Sequence, residues 1–103
     1  MEEIASFDIS QDSRSALTPG TVGVVLSNDV TMLARFNRKE VIANQPFYYF
    51  TVVYSDNPEY KINREVHISG TQFKNFLPVS GPVKIIRLAG QMYMITSKQT
   101  YPL

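Results

Sequence analysis

Hydrophobic and polar positions alternate with a period of two along most of this chain. Between Val30 and Phe36 every second side chain is apolar, and this pattern predicts a β-strand with one buried face. A second β-rich run covers residues 21–27, and Asn28-Asp29 between the two runs predicts a tight hairpin turn. The same pattern predicts strands at residues 47–54, 60–69, 83–88 and 91–97, with turns at 18–20, 55–58 and 89–90.

Two segments depart from this alternation. Phe73, Phe76 and Leu77 have helical spacing within residues 70–77, Ser69 or Thr71 can cap such a helix, and Pro78 would end it. Residues 37–45 form a polar connection that fits either one helical turn or a flexible hairpin tip. The predicted order is therefore four strands, one short helix and two strands.

The predicted architecture is all-β: a small, OB-like β-barrel with one short helix. In the OB fold a helix lies between the third and fourth strands of a short-stranded barrel. An SH3-like barrel is the alternative. Residues 21–103 are predicted to form this single domain, and the tail at 98–103 is predicted to be loose. Residues 1–20 are predicted to be an acidic leader, partly disordered or forming an edge arm.

The composition excludes several kinds of chemistry. The 103 residues contain no Cys and a single His, His67, so disulfides, thiolate sites and an ordinary zinc site are excluded. Candidate acids, bases and nucleophiles do not cluster, and we therefore expect neither enzymatic activity nor a cofactor. No apolar run approaches the ~20 residues that span a bilayer, and the acidic start does not resemble a signal peptide. A cytoplasmic location without membrane association is expected.

The aromatic run at 47–54 is the main indication of function. It holds five rings in eight residues, and one buried strand face can accept only about half of such a run. The remaining rings can stack on bases, contact a protein partner or be buried in another layer, and the sequence leaves these three alternatives open.

Charge is unevenly distributed along the chain. Residues 1–20 hold four carboxylates and one arginine, giving −3, whereas residues 21–103 hold nine basic and five acidic residues, giving +4. A mildly basic domain with surplus rings is typical of proteins that bind single-stranded nucleic acid. The candidate stacking residues are Phe47 and Tyr49, with Tyr60 and Tyr93 as further candidates. The candidate phosphate-binding residues are Arg35, Arg38, Lys39, Lys61, Lys84 and Arg87.

The segment Asn44-Gln45-Pro46-Phe47-Tyr48-Tyr49-Phe50, continuing through Tyr54, Tyr60 and Ile68, resembles the single-stranded-DNA-binding proteins of filamentous phages. The later stretch Leu77-Pro78-Val79-Ser80-Gly81-Pro82-Val83 is also similar to that family. The resemblance covers roughly residues 44–97. It implies an OB-type barrel, a homodimer, and a viral protein that coats single strands during DNA replication in the host cytoplasm. It also implies that Tyr49, Tyr54 and Arg38 contact nucleotides.

Two functions are therefore predicted. The first is binding of single-stranded DNA, or of RNA, with little sequence preference. The alternative is a structural or adaptor barrel, of the kind found among phage or plasmid accessory proteins, that uses its aromatic strand for self-assembly or for a protein partner. The location of the cations relative to Tyr49 distinguishes them, since a shared face favours nucleic acid and a scattered arrangement favours assembly.

Overall fold

The structure is a computed structural model that describes residues 1–11 and 17–103. All regular elements of this part of the chain are β-strands. They are β1 (Glu2–Ile9), β2 (Val22–Ser27), β3 (Thr31–Ile42), β4 (Gln45–Tyr54), β5 (Glu65–Ser69), β6 (Phe73–Pro78), β7 (Gly81–Leu88), β8 (Gln91–Ile95) and β9 (Thr100–Pro102).

The strands form two antiparallel sheets. The four-stranded sheet has the order β1-β7-β8-β9, and the five-stranded sheet has the order β5-β4-β3-β2-β6. The all-β prediction is confirmed. The prediction of a closed barrel is wrong, because within the described residues no ladder joins β5 to β6 or one sheet to the other.

The five-stranded sheet is curled. Its edge strands, β5 and β6, are connected by residues 70–72 alone. In a flat sheet these edges would lie roughly 19 Å apart, whereas the steps from Ser69 to Phe73 span at most about 14 Å. Ring contacts confirm the curl, since Phe73 of β6 stacks on Tyr48 of β4 with centroids 4.4 Å apart.

Two hydrophobic cores result from this arrangement. The inner core fills the concave side of the curled sheet, and the inter-sheet core lies between its convex side and the four-stranded sheet. The inner core comprises Val25, Val30, Met32, Ala34, Phe36, Phe50, Val52, Ile68 and Phe76. The inter-sheet core comprises Val24, Leu33, Val79, Val83, Ile85, Met92, Met94 and Tyr101. β2 and β3 are apolar on both faces where they lie between the two cores.

The predicted helix at 70–77 is wrong. Residues 70–72 form a turn and Phe73–Pro78 is strand β6. The helical spacing has another cause: the register on β2 shifts between Leu26 and Ser27, which leaves Lys74 as an extra residue. Phe73 and Phe76 consequently both contact the inner core, while Leu77 packs against the inter-sheet core.

Both ends of the described chain contain strands, in agreement with the edge-arm alternative for the leader and in contrast to the loose tail predicted at 98–103. Residues 2–9 of the predicted leader form β1 and pair with β7, whereas the leader residues 12–16 lie outside the described part. The predicted loose tail contains β9, in which Tyr101 is buried against the inter-sheet core. The predicted strand at 60–69 is limited to Glu65–Ser69.

Of the two alternatives predicted for residues 37–45, a helical turn or a hairpin tip, the structure has the hairpin tip, at the end of a long β-hairpin. β3 and β4 stay paired up to Ile42 and Gln45, and the turn residues Ala43 and Asn44 both have positive φ, 51° and 64°, as a two-residue hairpin turn requires. We call residues 37–49 the arm. It carries the candidate functional residues.

Candidate functional site

A β-bulge at Asn37 determines which side chains share a face of the arm. Phe36 pairs with Phe50 but Arg38 pairs with Tyr49, so Asn37 is the extra residue on β3. Because of this bulge, Arg38 lies on the same face as Arg35, which pairs with Thr51. We call this convex side of the five-stranded sheet the outer face.

Three aromatic rings meet on the outer face of β4 and β5. His67 pairs with Tyr49 across the two strands, and its ring centroid lies 5.8 Å from that of Phe47 and 5.6 Å from that of Tyr49. We call Phe47, Tyr49 and His67 the ring cluster. Sequence reasoning missed His67 as a site residue, although its outward position in the alternation of β5 could have indicated it.

Arg38 covers the Tyr49 ring. Its guanidinium carbon lies 4.1 Å from the ring centroid, within the range of a cation–π contact. Arg38 also donates from Nε to Glu40 at 2.8 Å and from Nη1 to Glu65 at 2.7 Å. The guanidinium is therefore held over the ring by carboxylates from two different strands.

The same hydrogen bonds change the protonation of Glu65. Bonds from Arg38 and, secondarily, from Asn37 hold the pKa of the Glu65 carboxyl below its usual value. The Asn37 side-chain amide donates to Glu65 Oε2 at 2.9 Å and to Thr51 Oγ1 at 2.8 Å. The bulged residue thus ties the Glu65 carboxylate to β4.

The opposite, concave face of the arm carries a second cation and ring. Lys39 pairs with Tyr48 across the hairpin, and its ammonium lies 5.7 Å from the Tyr48 ring centroid. Tyr48 stacks on Phe73 with an interplanar angle of 27°. Phe47 and Tyr49 of the predicted site are therefore on one face, and Lys39 is on the other.

Arg35 and Lys61 lie near the ends of this region. Arg35 is exposed on the outer face. Lys61 is exposed in the loop before β5, where it lines a shallow depression together with Arg64, Glu59 and Glu65. Arg35 thus belongs to the outer face with Arg38, whereas Lys61 borders it beside two carboxylates.

Five predicted site residues lie elsewhere, among them Tyr93 on β8 of the four-stranded sheet. Tyr54 packs on the inter-sheet core beside Phe7, and Tyr60 packs on the inner core; burial raises the pKa of both phenols. Lys84 and Arg87 belong to β7 of the other sheet, where they form ion pairs with Glu3 at 3.8 Å and with Glu2 at 2.8 Å. The predicted residues therefore divide between the arm and the rest of the fold.

Among residues 1–11 and 17–103, no three His, Asp or Glu side chains are grouped as a metal site would require. The same residues include no helix with the length and apolar character needed to cross a membrane.

Comparison with protein-family models, with curated proteins and with solved structures finds no match to this chain. Both cation–π contacts found among the described residues lie in the arm.

Proposed function

We propose that this protein binds single-stranded nucleic acid, DNA or RNA, with little sequence preference, on the outer face of the arm. The observation that supports it is the ring cluster beneath Arg38, in which three exposed or half-exposed rings adjoin a guanidinium 4.1 Å from Tyr49. Bases stack on aromatic rings and on arginine planes without regard to sequence.

The charges on this face set the strength and character of the binding. Arg35 and Arg38 supply two cations, and Glu40 and Glu65 already bind Arg38. A phosphate must compete with these carboxylates, so stacking contributes more than charge. We expect a shallow salt dependence. The slope of log affinity against log salt concentration should be about −0.7 per phosphate contact on a single strand.

A titration with labelled oligo(dT) tests the proposal. Fluorescence anisotropy at low and moderate salt should show salt-dependent binding with quenching of tyrosine emission. The Tyr49→Leu variant should bind about tenfold more weakly, since stacking is worth roughly 1–3 kcal/mol per base. Tyr93→Leu is the matched control because Tyr93 lies on β8 of the four-stranded sheet. Absence of binding at low salt, or equal losses in both variants, would reject the proposal.

A second function, self-assembly or adaptor binding through the arm, is favoured by the hairpin tip. Val41 and Ile42 are 64% and 52% exposed, and apolar side chains projecting from a hairpin mark an interaction surface. The pairing of Arg38, Lys84 and Arg87 with carboxylates also favours it. Sedimentation velocity of the wild type and of the double variant Val41→Ser, Ile42→Ser distinguishes the two functions. Loss of a dimer in the variant, with unchanged oligo(dT) binding, would assign the tip to assembly.

A further inference from the structure

Two consecutive residues of β3 each place a cation over a tyrosine, on opposite faces of the arm. Arg38 covers Tyr49 on the outer face, and Lys39 lies over Tyr48 on the concave face. Tyr48 and Tyr49 are likewise consecutive on β4, and the two pairs are directly opposed in the ladder. The concave pair therefore repeats the chemistry of the outer one.

Tyr48 is supported by rings on β4 and β6. Phe73 stacks on Tyr48 with centroids 4.4 Å apart and is also nearly parallel to the buried Phe50, at 6.2 Å and 25°. The tyrosine is therefore held by packing, and little side-chain entropy remains to be lost when a base stacks on it. Lys39, at 5.7 Å, covers its ring less closely than Arg38 covers Tyr49 at 4.1 Å.

The two faces differ in their free charge. Arg38 binds Glu40 and Glu65, whereas Lys39 has no carboxylate within ion-pair distance among residues 1–11 and 17–103. Lys39 is exposed, as is Lys74, the residue after Phe73. A phosphate at the concave face consequently meets an ammonium without displacing a carboxylate.

The edge of the arm connects the two faces. β2 pairs with β3 only as far as Val22 opposite Arg35, and the backbone of Phe36 bonds to Gly20 and Thr21. Beyond Phe36, the edge of β3 that faces away from β4 has no paired strand in the described part of the chain. A polynucleotide can therefore pass across this edge from Arg38 to Lys39 without meeting a strand formed by residues 1–11 or 17–103.

We propose that Lys39 and Tyr48, with Phe73 beneath the ring, form a second stacking site for single-stranded nucleic acid, and that a strand bound to the ring cluster crosses the edge of β3 to reach it. This inference rests on the proposed nucleic-acid function. It assigns Tyr48 and Phe73 to binding and makes the arm a two-sided contact, so that affinity depends on the length of the bound strand.

The test compares labelled oligo(dT) of about 4 and about 12 nucleotides, which lie within the range of site sizes of OB folds that bind single strands. The wild type should bind the longer probe much more tightly. Lys39→Gln and Tyr48→Leu should each lose about tenfold in affinity for the longer probe and little for the shorter one. Lys39→Gln should also lower the salt slope by about 0.7. The matched controls are Tyr93→Leu and Lys98→Gln, since Lys98 is an exposed lysine between β8 and β9. Circular dichroism melts monitor folding.

The outcomes separate the two proposals. If the wild type binds neither probe, the proposed function itself fails. If the wild type binds and Tyr49→Leu weakens binding, but Lys39→Gln and Tyr48→Leu bind both probes as the wild type does, the second site is refuted and the first stands. Because Lys39 is exposed and its removal should leave the fold intact, the Lys39→Gln result decides the case even if Tyr48→Leu is destabilised.

Discussion

Arg38 of β3 donates a hydrogen bond of 2.7 Å to Glu65 of β5, across the intervening strand β4. This ion pair fixes the guanidinium over Tyr49. It also places a negative charge where the proposed function requires a phosphate. Glu65 thus orients the cation and at the same time competes for it.

Removal of that charge should strengthen nucleic-acid binding. In Glu65→Gln the side chain can still accept from Asn37, but Arg38 is released from one carboxylate and the repulsion of phosphate is reduced. We expect affinity for oligo(dT) to rise about three- to tenfold at low salt and the gain to shrink as salt increases.

The control for this prediction is Glu2→Gln. It makes the same change of charge in an ion pair with an arginine, Arg87, on the four-stranded sheet. An equal gain in Glu2→Gln would mean that net charge, and not the position of Glu65, sets the affinity.

The lowered pKa of Glu65 predicts how acid affects stability. A carboxyl whose pKa is lower in the folded than in the unfolded state stabilises the fold above its unfolded pKa, and the contribution is lost as pH falls through the folded pKa. The wild type should therefore melt at a higher temperature than Glu65→Gln, and this difference should be constant above pH 4.5, the usual pKa of a Glu carboxyl. The difference should disappear as the pH is lowered further. Melts from about pH 6 to about pH 3 measure it, and a pH-independent difference would contradict the assignment.

β7 and β8 could be predicted from alternation because their core residues Val83, Ile85, Met92 and Met94 all face one core. The prediction failed at Phe73, Phe76 and Leu77, where a bulge at Lys74 places Phe76 and Leu77 in different cores. Alternation cannot reveal such a bulge, and the resulting spacing is indistinguishable from a helical turn.

The site was predictable in its residue types but not in its grouping. Strict alternation would put Arg35 and Arg38 on opposite faces, and the bulge at Asn37 brings them to the same face. Tyr54 and Tyr60 could not be distinguished from Tyr49 by sequence, because only the tertiary packing shows that they contact the cores.

Gln11 connects the two sheets and should contribute strongly to stability. Its amide donates to the carbonyls of Val22 and Val79 at 2.6 Å each, and its carbonyl accepts from the Val22 amide at 3.0 Å. Gln11→Leu keeps the size but removes this partner from the Val22 amide and the Val79 carbonyl, while the Val22 carbonyl still accepts from the Val79 amide at 3.1 Å. The loss should cost about 1–3 kcal/mol in urea unfolding. Gln45→Leu, at the exposed hairpin tip, should change stability by less than about 0.5 kcal/mol. Equal effects would show that Gln11 does not act through its hydrogen bonds.

Gly23 is required by the close approach of β6 to β2. A Cβ at this position would lie 2.7 Å from the Leu77 carbonyl oxygen and 2.8 Å from Cζ of Phe76. Gly23→Ala should therefore destabilise the fold by about 1–3 kcal/mol, as overpacking of a core does. Phe76→Leu should cost less in the Gly23→Ala background than in the wild type, because it removes one of the two clashes and leaves the backbone oxygen in place. A double-mutant cycle in urea measures this coupling, and strictly additive losses would mean that the Phe76 ring moves aside without strain.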